Sequence, residues 1–323
     1  MKVSVIVPVF NVEQYIERSA VSILEQSYND LDIIFVNDCS TDKSIDVLKK
    51  VLNRFPKRKS VRIINNSHNK GVAYVRNVGI EVALGEFIIW VDSDDWIEKN
   101  TVELLVLEYE RTNADIISFE SKWYYQDRID YHKTPDYSNP KEMLMSQLCD
   151  NIGSNIWGRF IRTSLYKDNN IRCSESLNIG EDFQLLIPLI FFSKKISTLH
   201  LPLYNYERRN DNSYTFKYTE EKMRCSLMSY QYAYNVIPNR DDNLEKAFRF
   251  KLLDAYASHM IISCKINNAG YYKYIYSKIR EISVEYWKHV TLSKRILFYI
   301  KCYYLAFLYV RCMLFLRRIV TKR

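Results

Sequence analysis

The sequence predicts an α/β fold: a mostly parallel central sheet flanked by helices on both faces, with a helical extension at its C-terminal end. Three observations carry this. Runs rich in Val and Ile alternate with amphipathic stretches over the first hundred residues, those runs are apolar almost throughout, and each ends in polar residues. Strands buried on both faces read as continuous apolar runs, and alternation of strand with helix builds a parallel sheet.

Strands are expected at Val3–Phe10, Asp32–Asn37, Val61–Asn65 and Glu86–Val91. Helices are expected at Val12–Gln26, Asp42–Arg54 and Val72–Leu84, where apolar residues recur near a 3.6 period. From Thr219 to about Glu285 the pattern is helical, with a break at Ile237-Pro238-Asn239, and a last helical stretch covers Leu292–Val320.

At 323 residues the chain buries a large core. Tyrosine is abundant, with 26 copies against 7 glycines, which suits surfaces that are apolar on one side and wet on the other. The seven cysteines show no CxxC or zinc spacing and read as reduced thiols. The first apolar run is too short for a signal peptide, so a cytoplasmic protein is expected. From Tyr286 to Arg323 there are nine Lys/Arg and no Asp/Glu, which is +9 against a formal total of +8. The first 285 residues therefore hold −1, and the protein is a near-neutral body with a basic tail.

The polar strand ends are Pro8 to Asn11, Asn37-Asp38, Asn65-Asn66 and Asp92-Ser93-Asp94-Asp95. In open α/β sheets ligands bind beyond the carboxyl ends of the strands, so four such ends on one rim form a site. No GxGxxG follows the first strand and no GxxxxGK[ST] exists anywhere, which excludes phosphate cradling by a glycine-rich loop. A divalent cation on carboxylates is the alternative. Magnesium or manganese takes one or two protein carboxylates and completes its shell with water and phosphate oxygens. Asp92 and Asp94, two residues apart, can divide that work between sugar and metal, although an acidic turn that caps a helix has the same appearance.

These residues closely resemble the family 2 glycosyltransferases of GT-A fold, of the kind found in bacterial capsule, O-antigen or exopolysaccharide biosynthesis. Val3 to Asn11 looks like the family's opening strand. Val36-Asn37-Asp38-Cys39-Ser40-Thr41-Asp42 looks like its VDDGSTD turn, and Asn69-Lys70-Gly71, Arg76-Asn77, Gly79 and Ala83-Leu84-Gly85-Glu86 match its NxGxxxARNxGxxxAxGE stretch. Val91-Asp92-Ser93-Asp94-Asp95 matches its DxD motif. The resemblance implies an inverting transfer of a sugar from a nucleotide diphosphate, with UDP the expected nucleotide. It implies that Asp38 contacts the base and that Pro8, Asn11, Asn69, Arg76, Asn77 and Ser93 line the donor. Asp92 then lies against ribose or diphosphate and near the metal, while Asp94 binds the Mn2+ or Mg2+ ion. Two departures stand out. Cys39 occupies a usual glycine position, so its turn must avoid positive φ or accept strain. Asn37 replaces the commoner first aspartate.

In the second half, Gly180-Glu181-Asp182 opens an apolar segment, Phe183–Phe192, and resembles the family's Glu-Asp motif. By that match Asp182 takes the proton from the acceptor hydroxyl and Glu181 orients or binds the acceptor; acids at a helix start also suit its dipole. Trp157-Gly158-Arg159-Phe160 resembles the acceptor-side segment, where Trp157 either stacks on a sugar or fills the core. Tyr204 to Arg209 with Asn212-Ser213 resembles the element that closes the site, and Arg208 or Arg209 suits a diphosphate.

The expected organisation is therefore a catalytic domain over 1–215, divided into a nucleotide half (1–100) and an acceptor half (101–215), a helical region over 216–290, and a basic amphipathic helix over 291–323. The longest uncharged run in the tail, Cys302–Val310, is far short of the roughly twenty residues of a spanning helix. On one helical wheel Lys294, Lys301, Arg311, Arg318 and Lys322 share a sector, which fits a helix lying on the inner face of an anionic membrane; a basic helix packed on protein is the competitor. The acceptor is then a glycan or a lipid-linked oligosaccharide. Nucleic acid is not an expected partner, since the hydrophobic content exceeds what phosphate contact requires. Two rival functions are a sugar nucleotidyltransferase, which lacks its glycine-rich basic loop here, and a non-catalytic sugar-nucleotide sensor or membrane scaffold, which has no use for a base.

Overall fold

A computed structural model describes residues 1–56, 58, 60–149, 153–210, 219–289 and 291–320. The first hundred residues alternate as read from the sequence: β1 (Val3–Val9), α1 (Ile16–Leu24), β2 (Leu31–Asn37), α2 (Ser44–Arg54), β3 (Val61–Asn65), α3 (Val72–Val82) and β4 (Phe87–Trp90). There follow β5 (Trp96–Ile97), α4 (Thr101–Thr112), β6 (Ile116–Tyr124), β7 (Ile129–His132), α5 (Pro140–Cys149), β8 (Arg159–Arg162), α6 (Thr163–Asp168), α7 (Glu181–Phe192) and β9 (Ile196–Glu207). The helices α8 (Glu220–Val236), α9 (Asp242–Lys265), α10 (Ala269–Arg280), α11 (Leu292–Tyr299) and α12 (Tyr303–Val320) complete the chain.

The chain divides into two compact units, one of Met1–Leu144 with Ile152–Ser213 and one of Met145–Asn151 with Tyr214–Arg323. The first is built on a sheet of order β3-β2-β1-β4-β8-β6-β9-β5, with β7 beside β6. β3, β2, β1 and β4 run parallel. Beyond β4 the sheet is mixed rather than mostly parallel: β8 is antiparallel to β4 and β6, β7 to β6, and β5 to β9, while β6 and β9 are parallel. For β6 and β7 the reason is local. Tyr125 and Arg128 close a short turn between β6 and β7, and so short a connection joins only antiparallel strands.

Val9 pairs with Asn37 and Asn37 with Asn65, so the carboxyl ends of β1, β2 and β3 lie level and their loops form one rim. Beneath it Val3, Val5, Val7, Ile33, Phe35, Phe87 and Ile89 are sealed from solvent, which fixes the strands that carry the rim.

In the second unit α8 ends at Val236 and Asp241 caps α9, its carboxylate accepting the Leu244 N–H at 2.8 Å. The tail is two helices, not the single one read over Leu292–Val320. Ile300 takes an extended conformation, and its carbonyl accepts the Tyr272 hydroxyl at 2.9 Å, which draws it out of the helical ladder. Leu297, Phe298, Tyr303, Ala306 and Val310 belong to this unit's core. Lys294 is paired with Asp254 at 2.7 Å and so leaves the cationic face that one continuous wheel assigned to it. No helix among the described residues is long and apolar enough to cross a membrane.

Candidate active site

The rim loops are cross-braced by their own polar side chains. Asn11, at φ 51°, accepts the Thr41 N–H at 2.8 Å and donates its own N–H to the Ser40 hydroxyl, which joins the β1–α1 and β2–α2 loops. Asn37 donates to the Asn65 side chain at 2.9 Å and accepts the Ser40 N–H. Asp38 is buried, and its carboxylate accepts from the Asn66 side chain at 2.8 Å, the Lys70 N–H at 2.9 Å and the Gly71 N–H at 2.7 Å. Three of its roughly four acceptor positions thus shape the β3–α3 loop, leaving one for a ligand. Cys39 does adopt positive φ, at 60°. Pro8 lies within β1, opposite Val36, and Asn69 is exposed on the loop after β3.

The loop after β4 holds the acids. Asp95, fully buried, accepts the Tyr204 hydroxyl at 2.6 Å and the Glu207 N–H at 2.7 Å, and the same hydroxyl accepts the Asp92 N–H at 3.1 Å. Asp95 is a structural member that pins the loop to β9. Asp92 and Asp94 are half-buried, with the buried Ser93 between them. Burial, reinforced by the Asp92 charge, pushes the Asp94 carboxyl up to about 6, although the Asn210 amide donates to it at 2.9 Å. A raised carboxyl beside a second acid welcomes a cation. Among the described residues no group of three or more His, Cys, Asp or Glu is placed to hold an ion by itself. Asp92 and Asp94 offer two carboxylates, which is what magnesium or manganese takes when phosphates complete the shell, so this donor set fits such an ion.

Arg76, on α3, is 2% exposed and lies among three acids. Its Nη2 is 2.8 Å from Asp182, 3.5 Å from Glu181 and 3.6 Å from Asp92. Its Nε and Nη1 are buried without acceptors, so the guanidinium is committed to that one corner. The resemblance put Arg76 among donor-lining residues, whereas here it is the counter-ion of the Glu-Asp pair. Asp182 sits in the first turn of α7, after Gly180 at φ 80°. Burial pushes its carboxyl up to about 7, against the opposing pull of Arg76 and with the help of the Glu181 and Asp92 charges. Glu181 is raised for the same first reason. A carboxyl titrating near neutrality suits a general base.

Asn77 is turned away from the donor rim: its amide donates to the Cys173 carbonyl at 2.9 Å and its oxygen accepts the Cys173 N–H at 2.8 Å, clamping the segment that leads into α7. Trp157 fills the core. It is 7% exposed and stacks between Tyr204 and Tyr206, with ring centroids 4.6 and 5.0 Å away. The open aromatic beside it is Trp123 on β6, which stacks on His132 at 3.8 Å. Arg208 extends over Trp123, Tyr125 and Tyr206, and Arg209 is taken by Glu207, so neither arginine reaches the acids. Asn212 and Ser213 lie outside the described residues.

Sequence reasoning missed Arg18, Asn178 and Asn210. Arg18 donates to the Asp94 carbonyl at 2.8 Å and pairs with Glu207; Asn178 accepts the Ala73 N–H at 3.1 Å and braces the start of α3. No spacing signals them, because each acts across more than seventy residues of chain; Asn210 alone adjoined a noticed segment.

The profile of glycosyl transferase family 2 matches residues 4–169. EpsH of Bacillus subtilis, a glycosyltransferase by name, is 29% identical over 87% of this chain and 82% of its own length. The glycosyltransferase GlyA of Streptococcus pneumoniae is 29% identical over 76% of this chain, which spans only 36% of GlyA. Among solved structures, residues 1–349 of Staphylococcus aureus TarS with UDP-GlcNAc superpose with a TM-score of 0.74 at 22% identity, over 93% of this chain and 87% of that one. That likeness establishes the GT-A fold.

Proposed function

Since this chain belongs to glycosyltransferase family 2, we propose that it transfers a sugar from UDP to a hydroxyl of a cell-surface polysaccharide precursor, with inversion at the anomeric carbon. The observation that carries the reading is the division of the acids by Arg76: Asp92 on the donor side, Asp182 and Glu181 on the acceptor side, all within 3.6 Å of one buried cation. A module that only bound sugar nucleotides would gain nothing from a raised carboxyl next to that arginine. The choice of UDP is supported by the TarS structure, solved with UDP-GlcNAc, and the precursor class by the names of two relatives, the poly(ribitol-phosphate) N-acetylglucosaminyltransferase TarS and the minor teichoic acid biosynthesis protein GgaB.

Asp182 accepts the proton of the acceptor hydroxyl as its oxygen forms a bond to the anomeric carbon. The bond from that carbon to the diphosphate breaks on the opposite face, and the electron pair leaves with the diphosphate. Arg76 favours the ionised form of Asp182 and holds it in place. Asp92 and Asp94 would hold Mn2+ or Mg2+, which would supply positive charge against the negative charge developing on the leaving group. Asp38 and Asn11 shape the wall that receives the nucleoside.

The tail adds a location at the inner membrane surface. On α12 Tyr304, Leu305 and Leu308 are exposed, as are Leu292 and Tyr299 on α11, and the exposed Lys301 and Arg311 lie in the same stretch without an acid. Apolar side chains interspersed with cations suit the headgroup layer of an anionic leaflet, and such a site would bring the enzyme to a lipid-linked acceptor.

Incubating the protein with a panel of UDP, GDP and dTDP sugars and Mn2+ tests the reading. Slow, manganese-dependent release of UDP from one UDP-sugar, accelerated by a glycan acceptor, is expected. If no nucleotide sugar is bound or turned over, the reading is wrong.

A further inference from the structure

Arg159 opens β8, and its charge has no carboxylate of its own. The residue is 6% exposed. Its Nη1 donates to the Gly158 carbonyl at 3.0 Å, and its Nε is sealed from solvent without an acceptor. Among the described residues no Asp or Glu lies within ion-pair distance of it. Arg76, the other buried arginine among the described residues of this unit, is by contrast matched by three acids. A buried cation without a paired, hydrogen-bonded acid is an expensive thing for a fold to keep. Here burial outweighs the help of Tyr137 and Asp182 and pushes the guanidinium down to about 10.

The place of this charge indicates what would match it. Arg159 lies opposite Ser118 in the middle of the sheet, one residue after Gly158 at φ 71°. The acid that acts on it is Asp182, on the acceptor side, while Arg76 is the cation that touches the donor-side Asp92. A guanidinium with free donors pairs best with a phosphate or carboxylate, which can take two of its N–H groups at once.

We propose that Arg159 receives an oxyanion carried by the acceptor, a phosphate above all, next to the hydroxyl that takes the sugar. The enzyme would then select an anionic polymer precursor over a neutral one. This rests on the reading of Asp182 as the acceptor-side base.

The test uses the full chain with UDP and Mn2+ at saturation, so that the donor's phosphate positions are filled, and glycerol phosphate as probe with glycerol as neutral control. Wild type should bind glycerol phosphate at least tenfold more tightly than glycerol by calorimetry. Arg159→Gln should abolish that preference, and Arg159→Lys, which keeps the charge but not the fork, should weaken it several-fold; should the Gln variant fail to fold, the Lys variant decides. Equal binding of the two probes by wild type, or undiminished preference in the Lys variant, overturns the proposal. So does a loss of UDP affinity in either variant, for then the anion is the donor's diphosphate. If wild type binds no UDP at all, it is the transferase reading that has failed.

Discussion

Asp182 and Arg76 form a pair whose balance sets the working pH. The Asp182 carboxyl stands at about 7, above the ordinary aspartate value, so it is protonated below neutrality and ionised above. A base acts only when ionised, so turnover should rise through about pH 7 and level off above it. Arg76→Met removes the cation that lowers this value: the inflection should move to higher pH, with turnover at pH 7 falling about tenfold or more, since one pKa unit is a factor of ten, and recovering in part near pH 9. A pH-independent loss would make Arg76 a purely structural residue. Cys39 is a second residue-scale case. A non-glycine at φ 60° bears strain that glycine avoids, so Cys39→Gly should stabilise the protein by about 0.5 to 1 kcal/mol in urea unfolding, after the entropy that glycine loses. The positions of Asp94 after β4 and of Asp182 at the start of α7 were legible in the sequence because each stands in a motif at the edge of an apolar segment. The roles of Arg76, Asn77 and Trp157 were not, since neighbouring positions on one helix turn to different partners: Arg76 to Asp182, Asn77 to the Cys173 backbone.

At the scale of elements, the β3–α3 loop depends on Gly71. It adopts φ 87° and ψ 162°, a region open essentially to glycine alone, and a Cβ there would lie 2.3 Å from the Asn178 amide. Its N–H is one of the three that Asp38 accepts. Gly71→Ala should therefore cost about 1 to 3 kcal/mol in unfolding free energy and weaken UDP binding along with it; unchanged stability would show that the loop reshapes freely. The four parallel strands were legible because each is a continuous apolar run that ends in polar residues. The mixed half was not, because β6, β8 and β9 carry polar residues (Ser118, Arg159, Asn205) buried by pairings that no local pattern announces.

For the whole molecule, the proposed function gives the chemistry to the first unit and membrane attachment to the second. Because Leu297, Phe298, Tyr303, Ala306 and Val310 are core residues of the second unit, deleting the tail would damage that unit and say nothing about membranes. Substituting exposed side chains is the cleaner experiment. Tyr304→Ser with Leu308→Ser, or Lys301→Glu with Arg311→Glu, should leave the melting temperature within a few degrees and reduce sedimentation with anionic vesicles severalfold; undiminished sedimentation would refute attachment through this face. The central claim is that the acids divide between donor binding and proton removal, and UDP affinity with and without Mn2+ tests it most directly. Asp94→Asn should bind UDP about tenfold more weakly and lose the benefit of manganese, while Asp182→Asn should bind as wild type does and yet turn over no donor. Equal loss of UDP affinity in both variants would contradict the division.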